Sequence, residues 1–123
     1  LRRAAVLGLP VAHSLSPAIH NAGYVAAGLD GWRYTAVDCG ESELAAFVAG
    51  LDESWAGVSL TMPLKEVALT VADRVDPLAA ALGAANTLVR EPEGWAAYNT
   101  DAPGITDALG AAGASGVARM AVL

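Results

Sequence analysis

The 123-residue sequence predicts an α/β domain: an open, mostly parallel twisted sheet flanked by helices, with an antiparallel hairpin near its end. Three observations lead there. Short apolar runs alternate with segments of helical period from the first residues onward, the pattern of crossover units. No internal repeat or low-complexity linker interrupts them. Two strand-like runs are separated only by Glu91-Pro92-Glu93-Gly94, a connection too short for anything but an antiparallel hairpin.

Residues 4–8 (AAVLG) read as a first strand, and after a loop Ser16 can cap a helix opened by Pro17, where the missing N–H costs nothing, and ending near Gly28. Residues 33–38 (RYTAVD) alternate as a second strand. Residues 41–48 begin with acidic groups and continue with the apolar stripe Leu44, Phe47, Val48 and Leu51, so they predict a helix, with Gly50 as its stop. Residues 56–60 form a third strand and residues 64–73 a helix. A further helix spans 77–82, capped by Asp76 and closed by Gly83. Residues 86–90 and 95–99 are the hairpin strands, 106–112 a helix, 113–116 a loop and 117–123 (VARMAVL) an apolar strand.

Thirteen acidic against seven basic side chains give a net charge of −6 and a pI near 4.6. That balance excludes nucleic acid as a partner, because neutralising a phosphate backbone requires clustered Lys and Arg. Cys39 is the single cysteine and closes no internal disulfide, so stabilisation falls to an apolar core in a reducing compartment, and a cytoplasmic location is expected. No apolar run reaches the roughly 18–20 residues of a membrane span, and the start Leu1-Arg2-Arg3 leads into a strand instead of an export signal, so no membrane partner is expected.

Ligands of open α/β sheets sit outside the carboxyl ends of the strands. Ser14 and Ser16 follow the first strand, Thr61 and Lys65 the third, and Asn99, Thr100 and Asp101 the second hairpin strand. Asn86 precedes the first hairpin strand, and the reversal brings it to the same rim provided the second hairpin strand runs with the first and third. Hydroxyls, amides, an ammonium and a carboxylate suit a small, polyhydroxylated, anionic ligand. Lys65 is the one lysine beside six arginines. It is either a solvated helix residue or a proton donor and acceptor, a task an arginine cannot perform. Asp101 is either a helix cap or its partner, Ser14 and Ser16 either shape a turn or bind, and Asn86 either satisfies the hairpin end or binds. His13, His20 and Cys39 have no partner at ligand spacing and read as structural.

Taken in order, four segments resemble the substrate-binding domain of the shikimate dehydrogenase family: His13-Ser14-Leu15-Ser16-Pro17 with His20-Asn21, then residues 58–65 (VSLTMPLK), Gly83-Ala84-Ala85-Asn86-Thr87, and Asn99-Thr100-Asp101-Ala102-Pro103-Gly104. The resemblance implies that Ser14, Ser16 and Thr61 hold the carboxylate side of shikimate, and that Asn86 and Asp101 bind its ring hydroxyls beside Lys65. It also implies that Lys65 and Asp101 are the catalytic pair. Ser59 stands where the family usually has Asn, and Ala97 and Ala102 where Gly is frequent.

The implied activity is NADP-dependent interconversion of 3-dehydroshikimate and shikimate. Residues 1–104 would be the binding and catalytic domain, 105–116 a linking helix and loop, and 117–123 the first strand of an NADP-binding domain. No residue here is assigned to the cofactor or to a metal. This chain alone would bind shikimate without turnover, and its last strand, lacking partners, would be ordered by pairing with a second copy in a homodimer. Alternatives are a domain that also accepts quinate and a non-catalytic shikimate or quinate binding module.

Overall fold

A computed structural model of the chain describes residues 1–122. The chain runs β1 (Arg2–Gly8), α1 (Ser16–Ala26), β2 (Trp32–Asp38), a 3₁₀ turn (Glu41–Glu43), α2 (Leu44–Ala49), β3 (Trp55–Leu60), α3 (Ala68–Val71), β4 (Arg74–Val75), α4 (Pro77–Leu82), β5 (Thr87–Glu91), β6 (Gly94–Tyr98) and α5 (Asp101–Ala111). One six-stranded sheet has the order β2-β1-β3-β5-β6-β4. The pairs β1–β2, β1–β3 and β4–β6 are parallel, and β5 runs antiparallel to both of its neighbours. The mostly parallel sheet with one hairpin is therefore the fold the sequence predicts, and β6 does run with β1 and β3.

Period-two alternation divides the side chains of β1 between two layers. Ala5 and Leu7 join Val58, Leu60, Leu88 and Ala97 in the main core, closed by Leu44 and Val48 of α2, Leu64, Ala68 of α3 and Ala79 of α4. Ala4 and Val6 face the other way, where Val11, Tyr34 and Tyr24 of α1 form a smaller cluster. The stripe read from the sequence holds: Leu44 and Val48 are buried, with Phe47 and Leu51 packed against them. Asp76 caps α4 by accepting a hydrogen bond from the Leu78 N–H, and Gly83 ends it at φ 69°, the left-handed conformation that suits glycine.

Four local expectations need correction. Ser16 is not the cap of α1: the helix already includes it, and the Ser14 hydroxyl instead receives the Ser16 N–H. The helix expected over 64–73 is regular only in α3. Around it, turn-type bonds such as Leu69 N–H to Glu66 O bend the chain, and the Asp73 carboxylate is drawn off to the Trp95 N–H. Two residues then form the unforeseen edge strand β4, too short to show any period. Helix α5 starts at Asp101, five residues before the expected 106, because the Asn99 side chain caps it through the Ala102 N–H and Pro103 falls in the first turn, where its missing donor is harmless. Finally, residues 117–122 form no strand and are exposed, since no backbone partner lies beside them; Leu123 lies outside the described residues.

Candidate active site

At the carboxyl ends of β1, β3 and β6 a cleft of about 410 Å³ opens, and Ser14, Ser16, Thr61, Lys65, Asn86 and Asp101 all line it. Each arrives by a local cause. The Ser14 N–H bonds Val11 O, turning the chain after β1 so that both serines face the sheet end. Thr61 continues β3, its N–H bonded to Leu7 O. It passes so close to β1 that a Cβ on Gly8 would stand 2.4 Å from the Thr61 methyl. Lys65 is tied by its carbonyl to the Ala85 N–H at 2.7 Å. Asn86 is gripped from both sides: its carbonyl takes the Leu60 N–H at the end of β3, and its own N–H goes to Tyr98 O at the end of β6.

The cleft's charged groups form one unit. Lys65 Nζ lies 2.6 Å from Asp101 Oδ2, with the two side chains 40% and 43% exposed. The other carboxylate oxygen, Oδ1, accepts from Asn86 Nδ2 at 2.9 Å. Asn86 also donates to Thr100 Oγ1 and accepts from the Thr100 N–H, both at 2.8 Å, and takes a longer bond of 3.2 Å from Thr87 Oγ1. Its amide is fully engaged, so a ligand hydroxyl reaches it only by replacing one of these bonds. Asn99 adds a second brace, donating to Ala84 O at 3.0 Å while it caps α5. Asp101 is thus held by its neighbours with one oxygen aimed at Lys65. Among the described residues Asp101 is the ammonium's one hydrogen-bond partner, which leaves two hydrogens for an oxygen in the cleft, the arrangement general acid–base chemistry needs.

Six lining residues were not among the site residues read from the sequence: Val6, Pro10 and Leu60 add apolar wall, and Val11, His13 and Ser59 complete it. His13 and Val11 follow β1 and belong to the wall, and Ser59 on β3 faces the cleft two residues before Thr61. Alternation along β3 could have placed Ser59 on the Thr61 side; nothing in the sequence marks His13 as facing inward. His20 is structural, as expected: its Nδ1 lies 2.9 Å from Ser16 O and its ring stacks on Tyr34. Cys39 is buried, and burial raises its thiol above the ordinary range, with the Glu43 charge adding to the effect.

Comparison with known proteins agrees with this geometry. The family model described as shikimate dehydrogenase substrate binding domain matches residues 6–88. The shikimate dehydrogenase (NADP(+)) of Moorella thermoacetica is 42% identical over 97% of this chain and 40% of its own length. That of Thermus thermophilus is 45% identical over 90% of this chain and 42% of its own. Among solved structures, the Mycobacterium tuberculosis shikimate dehydrogenase superposes with a TM-score of 0.87 at 50% identity, over 89% of this chain and 42% of that one. The Thermus thermophilus enzyme in complex with shikimate gives a TM-score of 0.84 at 43% identity, over 92% of this chain and 43% of that one. The chain spans about 40% of the length of the curated relatives it matches. With a family model over more than half its length, and the motif residues gathered on one cleft, the chain belongs to the shikimate dehydrogenase substrate-binding domain family.

Proposed function

We propose that this chain is the shikimate-binding, proton-transferring part of an NADP-dependent dehydrogenase that interconverts 3-dehydroshikimate and shikimate in aromatic amino-acid biosynthesis. The observation that carries the reading is the Lys65–Asp101 pair at 2.6 Å inside the hydroxyl-lined cleft. A non-catalytic module for shikimate or quinate would need the serines but no braced ammonium–carboxylate pair. In the reductive direction Lys65 gives a proton to the ring oxygen as it becomes a hydroxyl; in the oxidative direction it takes that proton back. Asp101 orients the ammonium and accepts from a ring hydroxyl, while Ser14, Ser16 and Thr61 receive the carboxylate.

NADP, named for the relatives, supplies a hydride when bound. The chain ends of β1, β3 and β6 lead into Leu9-Pro10, Met62-Pro63 and Asn99-Thr100, none of them a glycine-rich turn opening a helix, so the described residues do not fit its pyrophosphate. We place the cofactor's site outside these residues, with 1–104 as the substrate domain, 105–116 as linker and 117–123 as the start of a second domain. Among the described residues no helix is long and apolar enough to cross a membrane. A reducing cytoplasm suits the unpaired Cys39.

The test is a chemical-shift titration of the 123-residue chain with shikimate. Saturable shifts clustered on Ser14, Ser16, Thr61, Lys65, Asn86 and Asp101 are expected; no shift at high ligand concentration overturns the reading.

A further inference from the structure

Behind the serine end of the cleft stands a hydroxyl group that the family motifs do not name. Tyr34 on β2 pairs with Ala4 of β1, and its ring reaches across β1 to put its hydroxyl 2.8 Å from Ser59 Oγ on β3. Ser59 is the wall between two spaces: it lines the ligand cleft on one side and, with Tyr34 and His20, a depression of about 200 Å³ on the other. Tyr34 is held at every point. Its backbone N–H and C=O bond the two ends of the Asn21 amide at 2.9 and 2.8 Å. The His20 ring stacks on it with centroids 4.0 Å apart, and only 4% of the residue is exposed.

The geometry points to Tyr34 as a positioning residue that fixes Ser59 as a hydrogen-bond donor to the anionic group of the ligand. A phenol is a better donor than an aliphatic hydroxyl, so the proton of this pair lies on Tyr34 and Ser59 Oγ accepts it. The hydrogen of Ser59 cannot return along the same line. Among the described residues it has no protein acceptor, so it is available to the cleft. Burial raises the Tyr34 phenol above its ordinary range, an effect that the hydrogen bond to Ser59 partly offsets and the nearby Tyr24 reinforces, so the donor keeps its proton at neutral pH.

The place of the anion follows from the proposed roles and from strand order. The Lys65–Asp101 pair, whose charges offset each other at 2.6 Å, serves the reacting oxygen and a ring hydroxyl, and β6, which delivers Asp101, lies two strands away from β3 while β1, which delivers Ser14 and Ser16, is the direct neighbour. The anionic end therefore lies on the side of the cleft that Ser14, Ser16, Thr61 and Ser59 line. Removing the Tyr34 hydroxyl frees the Ser59 hydroxyl to rotate and to turn its proton back into the wall.

This inference rests on the proposed shikimate site, and the experiment separates the two. Dissociation constants for shikimate and for its neutral methyl ester are measured by chemical-shift titration on the 123-residue chain and on Tyr34→Phe, Ser59→Ala and the double variant. Tyr34→Phe keeps the ring and its stacking. It is expected to weaken shikimate about threefold to tenfold, the worth of one neutral hydrogen bond, and to leave the ester within about twofold. Ser59→Ala should show the same selective loss, and the double variant should be no worse than either alone. Equal loss for both ligands, no loss, or additive losses overturn the inference; should Tyr34→Phe fail to fold, Ser59→Ala decides by its selectivity. A wild-type chain that binds neither ligand overturns the proposed site itself.

Discussion

Lys65 is tied to its place by its own carbonyl, which receives the Ala85 N–H, and by its ammonium, which meets Asp101. Arginine would keep the charge but cannot release its proton at neutral pH. In a dehydrogenase containing this chain, Lys65→Met is expected to lower kcat by roughly 10²- to 10⁴-fold while weakening shikimate far less, and Lys65→Arg should fail to restore turnover. Steady-state kinetics with both variants decides it, and near-normal turnover by Lys65→Arg would refute proton transfer by this residue. Gly8 shows how a residue outside the motifs serves one inside them. A Cβ there would meet the Thr61 methyl at 2.4 Å and Met62 O at 3.0 Å. Gly8→Ala should therefore cost about 1–3 kcal/mol in urea denaturation through overpacking and weaken shikimate by displacing Thr61. Unchanged binding would show that this close approach does not set the position of Thr61.

At the scale of elements, the edge strand β4 is secured by charge as well as by its ladder. Arg74 forms paired hydrogen bonds with the Glu91 carboxylate of β5, and the Tyr98 hydroxyl donates to the same group. The Tyr98 bond first, then those from Arg74, hold the Glu91 carboxyl below its usual range. A carboxylate whose folded pKa is depressed stabilises the fold fully above its unfolded pKa of about 4.3 and loses that contribution as pH falls through the folded value. Urea midpoints measured from neutrality down through the acidic range should fall, and Glu91→Gln should flatten that part of the decline. An identical acid profile in the variant would show the network to be energetically idle. The contrast between α3 and α4 shows what local sequence can specify. Asp76-Pro77 and Gly83 carry the start and stop of α4 within a few residues. Residues 64–73 have the composition of a helix but no cap, and Asp73 finds its partner on β6, distant in sequence.

For the molecule as a whole, three exposed apolar residues stand close together at the end of the described chain: Val117, Met120 and Val122 are 55%, 61% and 91% exposed. As the start of a second domain they would be covered by it; in the 123-residue chain they are free to meet another copy. We expect concentration-dependent self-association by light scattering, abolished by deleting residues 118–123. Equal mass with and without the tail would refute association through it.

How much was legible follows from the range of each cause. The fold class, the hairpin, the α2 stripe, the α4 boundaries and six of the residues that line the cleft were readable, because alternation, capping and turn length act over a few residues and the motif residues stand after a strand end or just before the first hairpin strand. The resemblance supplied the roles offered for Lys65 and Asp101, and only the folded chain shows them 2.6 Å apart. Strand β4, the cap of α5, the saturated amide of Asn86 and the Tyr34–Ser59 contact were not legible. Each depends on groups from 3 to 25 residues apart meeting across strands or at a helix start. Most such contacts leave no period in the sequence, since what brings them together is the order of strands in the sheet and the side-chain packing between them.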